Sequence, residues 1–236
     1  MFFDRFPQFA KTSGTASRLE RLNIRHEGMF ESNQSIFADA RVLDLASHDG
    51  RWSMAALDAG ASHVTGVEGR AELVSEAEST FSMYGVDVSR YRFMNDDMFD
   101  VLHGPVDHGL DVDVVMCLGF LYHTLRYQDL LAGVRALRPK YFLIDTAVIK
   151  HDKAMVLLHS EDSSKESAGL DHTFQVEGRL ITGRPSVSAL ELMLDVHGFS
   201  VAKRFDWAAF LAENHPTEKT VGSYRDGKRV TWLCEL

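Results

Sequence analysis

The chain of 236 residues is long enough for one large domain, or for one domain with an insertion, and for a substantial core. Its composition is that of an ordinary globular protein, and its formal net charge of −9 argues against a broad nucleic-acid-binding surface. No apolar run is long enough to span a membrane, and the N-terminus lacks a signal-peptide pattern, so we expect a cytoplasmic protein. Cys117 and Cys234 lie in apolar runs without metal-site spacing, which predicts buried free thiols in a reducing compartment.

The N-terminal segment is predicted to be an arm followed by a helix. Residues 1–16 contain Phe2, Phe3, Phe6 and Phe9, and we expect a loosely ordered arm that docks on the body of the protein or on a second subunit. A homodimer is one arrangement that such an arm would serve. Ser17–Glu20 has the Ser-x-x-Glu pattern of a capping box, which predicts a helix from there to about residue 38.

Residues 41–70 predict a strand, a tight turn, a helix and a second strand. Val42–Leu45 is a short apolar run typical of a buried strand, and Ser47–Gly50 supplies turn-forming residues. The following helix places Trp52 on its apolar face, and the second strand ends on an acid, Glu68. The turn offers backbone N–H groups at a helix N-terminus, and the acid can accept both hydroxyls of a ribose. This stretch therefore predicts the first half of a nucleotide-binding α/β sheet.

Strands and helices alternate along the rest of the chain. Apolar runs predict strands at 91–94, 111–118, 141–144, 199–205 and 229–235. Helical patterns predict helices at 70–84, 127–137 and 185–198. The pattern loosens between residues 146 and 184, where the polar run His159–Ser167 predicts a loop. This segment is long for a plain connection, so we expect it to act as a lid.

The turn and the acid after it resemble a known family. Asp44, Ala46, His48 and Gly50 stand where class I S-adenosylmethionine (SAM) methyltransferases carry Asp-x-Gly-x-Gly-x-Gly, and Glu68 stands where their acidic strand end lies. His48 departs from the pattern because it puts a side chain where the backbone usually runs bare. A pyrophosphate would need bare backbone from several glycines, so the single glycine argues against a dinucleotide.

The resemblance implies an α/β fold with a seven-stranded Rossmann-like sheet, helices on both faces and an antiparallel last strand. It implies an N-terminal arm and cofactor-capping helix over residues 1–40. The methyltransferase domain would then cover residues 41–236, with an insertion or lid at about 146–184.

The resemblance also implies a SAM site along the carboxyl ends of the strands. Glu68 would hold the ribose, and Asp96 would accept the exocyclic amine of adenine. Arg25, together with Arg21 and His26, would reach the carboxylate of the methionine part from the capping helix. The full set of residues assigned to SAM is Arg25, Asp44, Ala46, Ser47, His48, Gly50, Trp52, Glu68, Asp96, Asp97, Met98 and Leu118.

Three shorter stretches resemble one subgroup of the family. They are LGFLYHT at 118–124, PSVSALELMLDVHGF at 185–199 and YRDGKRVTW at 224–232. The subgroup includes tRNA wobble-uridine carboxymethyltransferases and small sugar O-methyltransferases of the type that acts in methylmannose polysaccharide synthesis. The resemblance implies methylation of a hydroxyl on a sugar or polysaccharide precursor.

An alcohol acceptor needs a base or a divalent ion, because a sugar hydroxyl is too weak an acid to react unaided. His123, beside Tyr122 at the end of the fourth strand, is the expected base. Asp145 is expected to orient that base or to bind Mg²⁺. His172, or an acid from Glu161-Asp162, would complete the metal site.

Three other functions remain open from the sequence. A tRNA-modifying enzyme of the same fold is possible, although the acidic charge makes a nucleic-acid partner unexpected. A small-molecule N-methyltransferase would need no base and would leave His123 without a role. A SAM-binding protein without turnover is the third alternative. We expect a small-molecule or oligosaccharide acceptor and no membrane partner.

Overall fold

The computed structural model describes residues 1–11, 18–104 and 110–236. Their strands are β1 (Arg41–Leu45), β2 (His63–Glu68), β3 (Tyr91–Asn95), β4 (Val114–Leu118), β5 (Tyr141–Ala147), β6 (Val156–Asp162), β7 (Arg179–Pro185), β8 (Ser200–Arg204) and β9 (Arg229–Glu235). Their α-helices are α1 (Phe2–Arg5), α2 (Leu19–Met29), α3 (Arg51–Asp58), α4 (Ala71–Met83), α5 (Met98–His103), α6 (Tyr127–Leu137), α7 (Val187–Val196), α8 (Trp207–Asn214) and α9 (Gly222–Arg225).

Within the described ranges, seven strands form one sheet in the order β3-β2-β1-β4-β5-β9-β8. Strands β1 to β5 pair in parallel, and β9 runs antiparallel to both of its neighbours, β5 and β8. The predicted seven-stranded sheet with helices on both faces and an antiparallel last strand is confirmed. The strand order reverses between β1 and β4, and such a switch point opens a crevice at the carboxyl ends of the strands.

The apolar runs of the central strands supply two cores, one on each face of the sheet. Val114 and Met116 of β4 point into the core shared with the N-terminal segment, α3 and α8, whereas Val115 and Cys117 point into the core shared with α5, α6 and α7. Cys117 and Cys234 are buried and unbonded to each other, as predicted, and burial raises the pKa of each thiol to about 12. None of the helices in the described part of the chain combines the length and apolar character that a bilayer crossing needs.

The N-terminal arm is ordered and packs on its own chain. Phe2, Phe3 and Phe9 are buried, and the Phe3 ring meets the Trp52 ring edge to face at 5.5 Å. The Phe3 amide also donates to the side chain of Asn23 at 2.8 Å, which fixes the arm to α2. The expectation of a loosely ordered arm is wrong over residues 1–11, because aromatic packing and this hydrogen bond hold it. Ser17, the first residue of the predicted capping box, lies outside the described residues.

Two further predictions differ from the structure, and two helices were not predicted. The predicted helix to residue 38 ends as α2 at Met29 and continues as a 3₁₀ segment, Glu31–Phe37, with a non-helical backbone at Asn33. The loop predicted from His159 is wrong over residues 159–162, because β6 pairs there with β7. β6 begins with the apolar residues Val156–Leu158 and turns polar at His159, where the loop was predicted. The sequence patterns also missed α8 and α9, which cover the core beside the arm.

Replacing Phe3 by Ala is expected to lower the free energy of unfolding by about 3–5 kcal/mol, because it leaves a cavity between the arm and Trp52. Urea denaturation followed by circular dichroism measures this change. Met83→Ala, at an exposed position on α4, is the matched control and should stay within about 0.5 kcal/mol of wild type. Equal stability of the two variants would contradict the described packing of the arm.

Candidate functional site

A pocket opens at the carboxyl ends of β1, β2 and β4, at the switch point of the sheet. Its wall also includes α2, the start of α5, the segment 166–172 after β6, and the start of β9. Of the residues assigned to SAM or to catalysis from the sequence, those that line it are Arg25, Ala46, His48, Trp52, Glu68, Asp96, Asp97, Met98, Leu118, Tyr122, His123 and His172.

The turn after β1 keeps the backbone shape of a glycine-rich loop with fewer glycines. Ala46 and His48 both adopt the left-handed conformation, with φ of 54° and 55°. A residue with a Cβ in this region costs about 1–2 kcal/mol, so the surrounding structure must hold the turn in place. Gly50 has φ of 78°, and a Cβ there would lie 2.8 Å from the ring of Phe93, so glycine is required at this position.

Glu68 ties the end of β2 to this turn. One carboxylate oxygen accepts from the backbone N–H of His48 at 3.1 Å, and the other accepts from the backbone N–H of Arg70 at 2.9 Å. The side chain is almost fully buried and forms part of the pocket wall. A carboxylate held in this way is oriented before any ligand binds, as a ribose-binding acid must be.

Three residues assigned to SAM lie behind the pocket wall and support it. Asp44 is buried and accepts a hydrogen bond from the hydroxyl of Ser53 at 2.7 Å, and its burial raises the pKa of the carboxyl to about 7. The backbone N–H of Ser47 donates to the carbonyl of Val67 at 2.9 Å, which joins the turn to β2. Gly50 packs against the aromatic rings beside β3.

The acids after β3 line the pocket opposite the turn. Asp97 begins α5 by accepting a hydrogen bond from the backbone N–H of Phe99 at 2.8 Å. Burial raises the pKa of Asp97 despite that hydrogen bond. Asp96 accepts from the backbone N–H of Asp97 and is exposed, while Met98 contributes apolar surface.

His123 pairs with Glu161 of β6. Its Nδ1 lies 2.7 Å from one carboxylate oxygen and 3.0 Å from the other. Glu161 also accepts from the backbone N–H of Gly169 at 3.0 Å. Burial alone would raise the pKa of Glu161, but the hydrogen bonds and charge of His123 outweigh burial and lower it. The prediction that Asp145 orients His123 is therefore wrong, because β6 brings a different carboxylate to the ring.

Asp145 lies inside β5 with its side chain 0% exposed. One oxygen accepts from Arg25 at 3.1 Å and from Arg229 at 2.6 Å, and the other accepts from the hydroxyls of Tyr224 at 2.8 Å and Thr231 at 2.7 Å. Burial acts to raise the pKa of this carboxyl, yet the two guanidinium groups outweigh burial and lower it. The ionised carboxylate of Asp145 thus lies behind the pocket wall, where it holds Arg25 and Arg229, and is not exposed at the tip of the strand.

The residues predicted to bind Mg²⁺ do not fit a metal ion. Both Asp145 oxygens are taken by the donors of Arg25, Arg229, Tyr224 and Thr231, and guanidinium groups repel a cation. His172 is in the pocket wall, which Asp145 does not reach. Across residues 1–11, 18–104 and 110–236, no three His, Cys, Asp or Glu side chains are grouped so as to hold a metal.

His26 lies in the core and not at the pocket, where it was predicted to reach the methionine carboxylate of SAM. Its ring is stacked between Phe2 and Phe30, at centroid distances of 4.4 and 5.5 Å, in the core beside the arm. Burial lowers the pKa of His26 to about 4, so the ring stays neutral at ordinary pH. It does not join Arg25 in the pocket.

The segment 163–172 contributes Glu166–Leu170 and His172 to the pocket wall, and we call it the lid segment after its predicted role. The Arg70 guanidinium donates to three of its carbonyls, at 3.3 Å for Ser163, 3.2 Å for Lys165 and 3.0 Å for Ala168. On the other side, His48 Nε2 lies 3.1 Å from Glu166 of the lid segment. The side chain that replaces a glycine in the turn therefore contacts the lid segment.

The sequence reasoning missed Arg70 and Arg229, although both line the pocket. Arg70 follows Glu68 by two positions, so its place at the end of β2 was available as a signal. Arg229 had no such signal, because it enters the site only through the antiparallel pairing of β9 with β5.

The segment from β1 to β4, which forms much of the pocket, is also similar to a known domain. Residues 42–140, from β1 to just before β5, match the sequence model of the family described as "Methyltransferase domain". The ribosomal RNA large subunit methyltransferase I of Klebsiella pneumoniae is 34% identical over 79 residues, which is 34% of this chain and 20% of that protein. The chain therefore spans about a fifth of the length of this curated relative.

Solved structures share the fold at low identity. A SAM-dependent methyltransferase from Mesorhizobium loti is 13% identical, with a TM-score of 0.60 over 89% of this chain and 98% of that one. Magnesium protoporphyrin IX methyltransferase from Synechocystis PCC 6803, solved with bound SAM, is 14% identical, with a TM-score of 0.57 over 100% and 91%. The chain thus has the fold that these SAM-dependent methyltransferases share, and its residues 42–140 are similar to a methyltransferase domain.

Replacing Arg70 by Ala is expected to loosen the lid segment, because three of its carbonyls lose a charged donor. Amides between 163 and 170 should exchange about tenfold faster, as measured by hydrogen–deuterium exchange with mass spectrometry. Arg90→Ala is the matched control, since the Arg90 guanidinium also donates to backbone carbonyls, those of Leu57 and Ala61, away from the pocket. Exchange in the lid segment that is equal in both variants would contradict this role of Arg70.

Proposed function

We propose that the protein transfers the methyl group of SAM to a hydroxyl group of a small-molecule acceptor, with His123 as the general base. The fold and the methyltransferase domain match support the SAM part of this proposal. The His123–Glu161 pair in the pocket wall is the observation that carries the choice of a hydroxyl acceptor.

The residues of the pocket fit SAM. The turn from Ala46 to Gly50 and the Glu68 carboxylate form one hydrogen-bonded unit that can receive the ribose. Asp96 and Arg25 both line the pocket, and in this proposal Asp96 accepts from the adenine amine and Arg25 binds the methionine carboxylate. When bound, SAM supplies a methyl group already activated by the sulfonium, so the protein must mainly position the acceptor.

His123 has the arrangement of an oriented base. Its Nδ1 faces the Glu161 carboxylate at 2.7 Å, so Nδ1 carries the proton and Nε2 is the free nitrogen. The imidazolium formed when Nε2 takes the acceptor proton would be stabilised by Glu161, in the way a carboxylate supports a histidine base in hydrolases. An amine acceptor would need no such base, and therefore the pair favours O-methylation over N-methylation.

A sugar hydroxyl is the acceptor that the sequence resemblance favours, and we retain it as the first class to screen. The proposed reaction does not use Mg²⁺, because the carboxylate of Asp145 is already paired with Arg25 and Arg229. RNA methylation is the second candidate, since the curated relatives are ribosomal RNA methyltransferases. The net charge of −9 weighs against it, and retention on immobilised RNA at physiological salt would favour it.

Calorimetric titration with SAM and S-adenosylhomocysteine tests the cofactor. Wild type is expected to bind both at micromolar concentration, and Glu68→Ala to weaken binding by about tenfold or more, because the ribose loses its acceptor. Glu78→Ala, at an exposed position on α4, should leave the affinity unchanged. Absence of binding in wild type would overturn the proposal.

Methyl transfer to a panel of hydroxyl acceptors, beginning with partly methylated mannosides, tests the base. His123→Ala is expected to lower kcat by about a hundredfold or more, and Glu161→Gln to lower it less, with SAM affinity unchanged in both. His103→Ala is the matched control, because His103 forms a similar pair with Asp129 (2.9 Å) on the surface. Unaltered turnover in His123→Ala would remove the base role. SAM binding without transfer to any acceptor or RNA would support a protein that only binds SAM.

A further inference from the structure

The charged residues of the pocket are unevenly distributed along the sheet. At the β2 and β3 end, the acids Glu68, Asp96 and Asp97 outnumber the one arginine that follows β2, Arg70. Arginines lie at the other end, where Arg21 and Arg25 come from α2 and Arg229 comes from β9. The two α2 arginines are four residues apart, so they lie on the same face of the helix.

The positive charge at this end exceeds what the protein neutralises. Asp145 accepts from both Arg25 and Arg229 and is the carboxylate that they share. Arg21 forms no ion pair within the described residues, and its guanidinium donates instead to the backbone carbonyl of Thr220. Burial and the neighbouring charge of Arg25 lower the pKa of Arg21, so its positive charge is poorly compensated by the protein.

Bound SAM would not supply the missing negative charge. The molecule carries one carboxylate against an ammonium and a sulfonium, so it adds net positive charge to the pocket. One guanidinium, that of Arg25, is enough for its carboxylate. Arg21 and Arg229 then remain at the end of the pocket where the acceptor must enter.

We propose that the acceptor carries an anionic oxygen group, a carboxylate or a phosphate, which binds to Arg21 with additional attraction from Arg229. This inference rests on the proposed function and specifies its substrate class. Arg229 Nη1 lies 3.4 Å from the Tyr122 hydroxyl, and the Tyr122 ring lies 4.1 Å from the His123 ring. An anion beside Arg229 would therefore lie next to Tyr122, whose ring neighbours that of the proposed base. Guanidinium groups suit both anions because their planar fork matches carboxylate and phosphate oxygens.

The test measures binding of small probes to the protein saturated with S-adenosylhomocysteine, by calorimetry at constant ionic strength. The probes are glucuronate, glucose 6-phosphate, neutral glucose and inorganic phosphate. Wild type is expected to bind at least one anionic sugar about tenfold more tightly than glucose. The carboxylate and phosphate probes then tell which anion the site takes. Arg21→Gln should remove most of that preference while changing the affinity for S-adenosylhomocysteine less than about threefold.

Arg92→Gln, which removes the same charge from an exposed position on β3, is the control and should keep the preference. Equal binding of glucose and both anionic sugars by wild type, with no binding of phosphate, would overturn the inference and leave the proposed function intact. A preference that survives Arg21→Gln would also overturn it. A tenfold loss of S-adenosylhomocysteine affinity in Arg21→Gln, with the anion preference kept, would assign Arg21 to the cofactor instead. Failure of wild type to bind S-adenosylhomocysteine would overturn both proposals together.

Discussion

The buried carboxylate of Asp145 holds together the parts of the chain that form one end of the pocket. It sits in β5 and accepts hydrogen bonds from α2 through Arg25, from β9 through Arg229 and Thr231, and from α9 through Tyr224. A buried carboxylate is unfavourable unless its oxygens are paired, so these elements must come together for the fold to tolerate it. The same pairing holds two guanidinium groups, those of Arg25 and Arg229, in the pocket wall.

The other end of the pocket depends on backbone geometry more than on charge. Ala46 and His48 hold left-handed conformations that the family usually gives to glycine, and Glu68 fixes the turn through the backbone N–H of His48. The His48 side chain, which the turn would otherwise lack, faces Glu166 of the lid segment. The turn after β1 and the lid segment are thus in contact. The histidine that replaces a glycine in this turn supplies that contact.

Catalysis in the proposed reaction depends on a third contact, between His123 and Glu161. The 3₁₀ turn Leu121–His123 after β4 presents His123, and the hairpin of β6 and β7 brings Glu161 against it. The hairpin therefore does two things: it orients the proposed base and carries the lid segment that follows β6. A methyl donor and an acceptor bound between these groups would meet charges already positioned by the fold, so the protein would not need to rearrange during the reaction.

The amino-acid sequence by itself determined the strands of the seven-stranded sheet, the turn after β1 and the acid that ends β2. Those features depend on local signals, such as the apolar run of β4, the turn after β1 and the acid at the end of β2. Tertiary structure decided the partners of His123 and Asp145, which are 38 residues away for Glu161 and 120 and 84 residues away for Arg25 and Arg229. Charged side chains carry no local pattern that names their partner, because packing of distant elements decides which opposite charge is within reach. The hairpin of β6 and β7 was missed for a related reason: its two strands pair with each other across the intervening segment 163–178, and that pairing has no local signal.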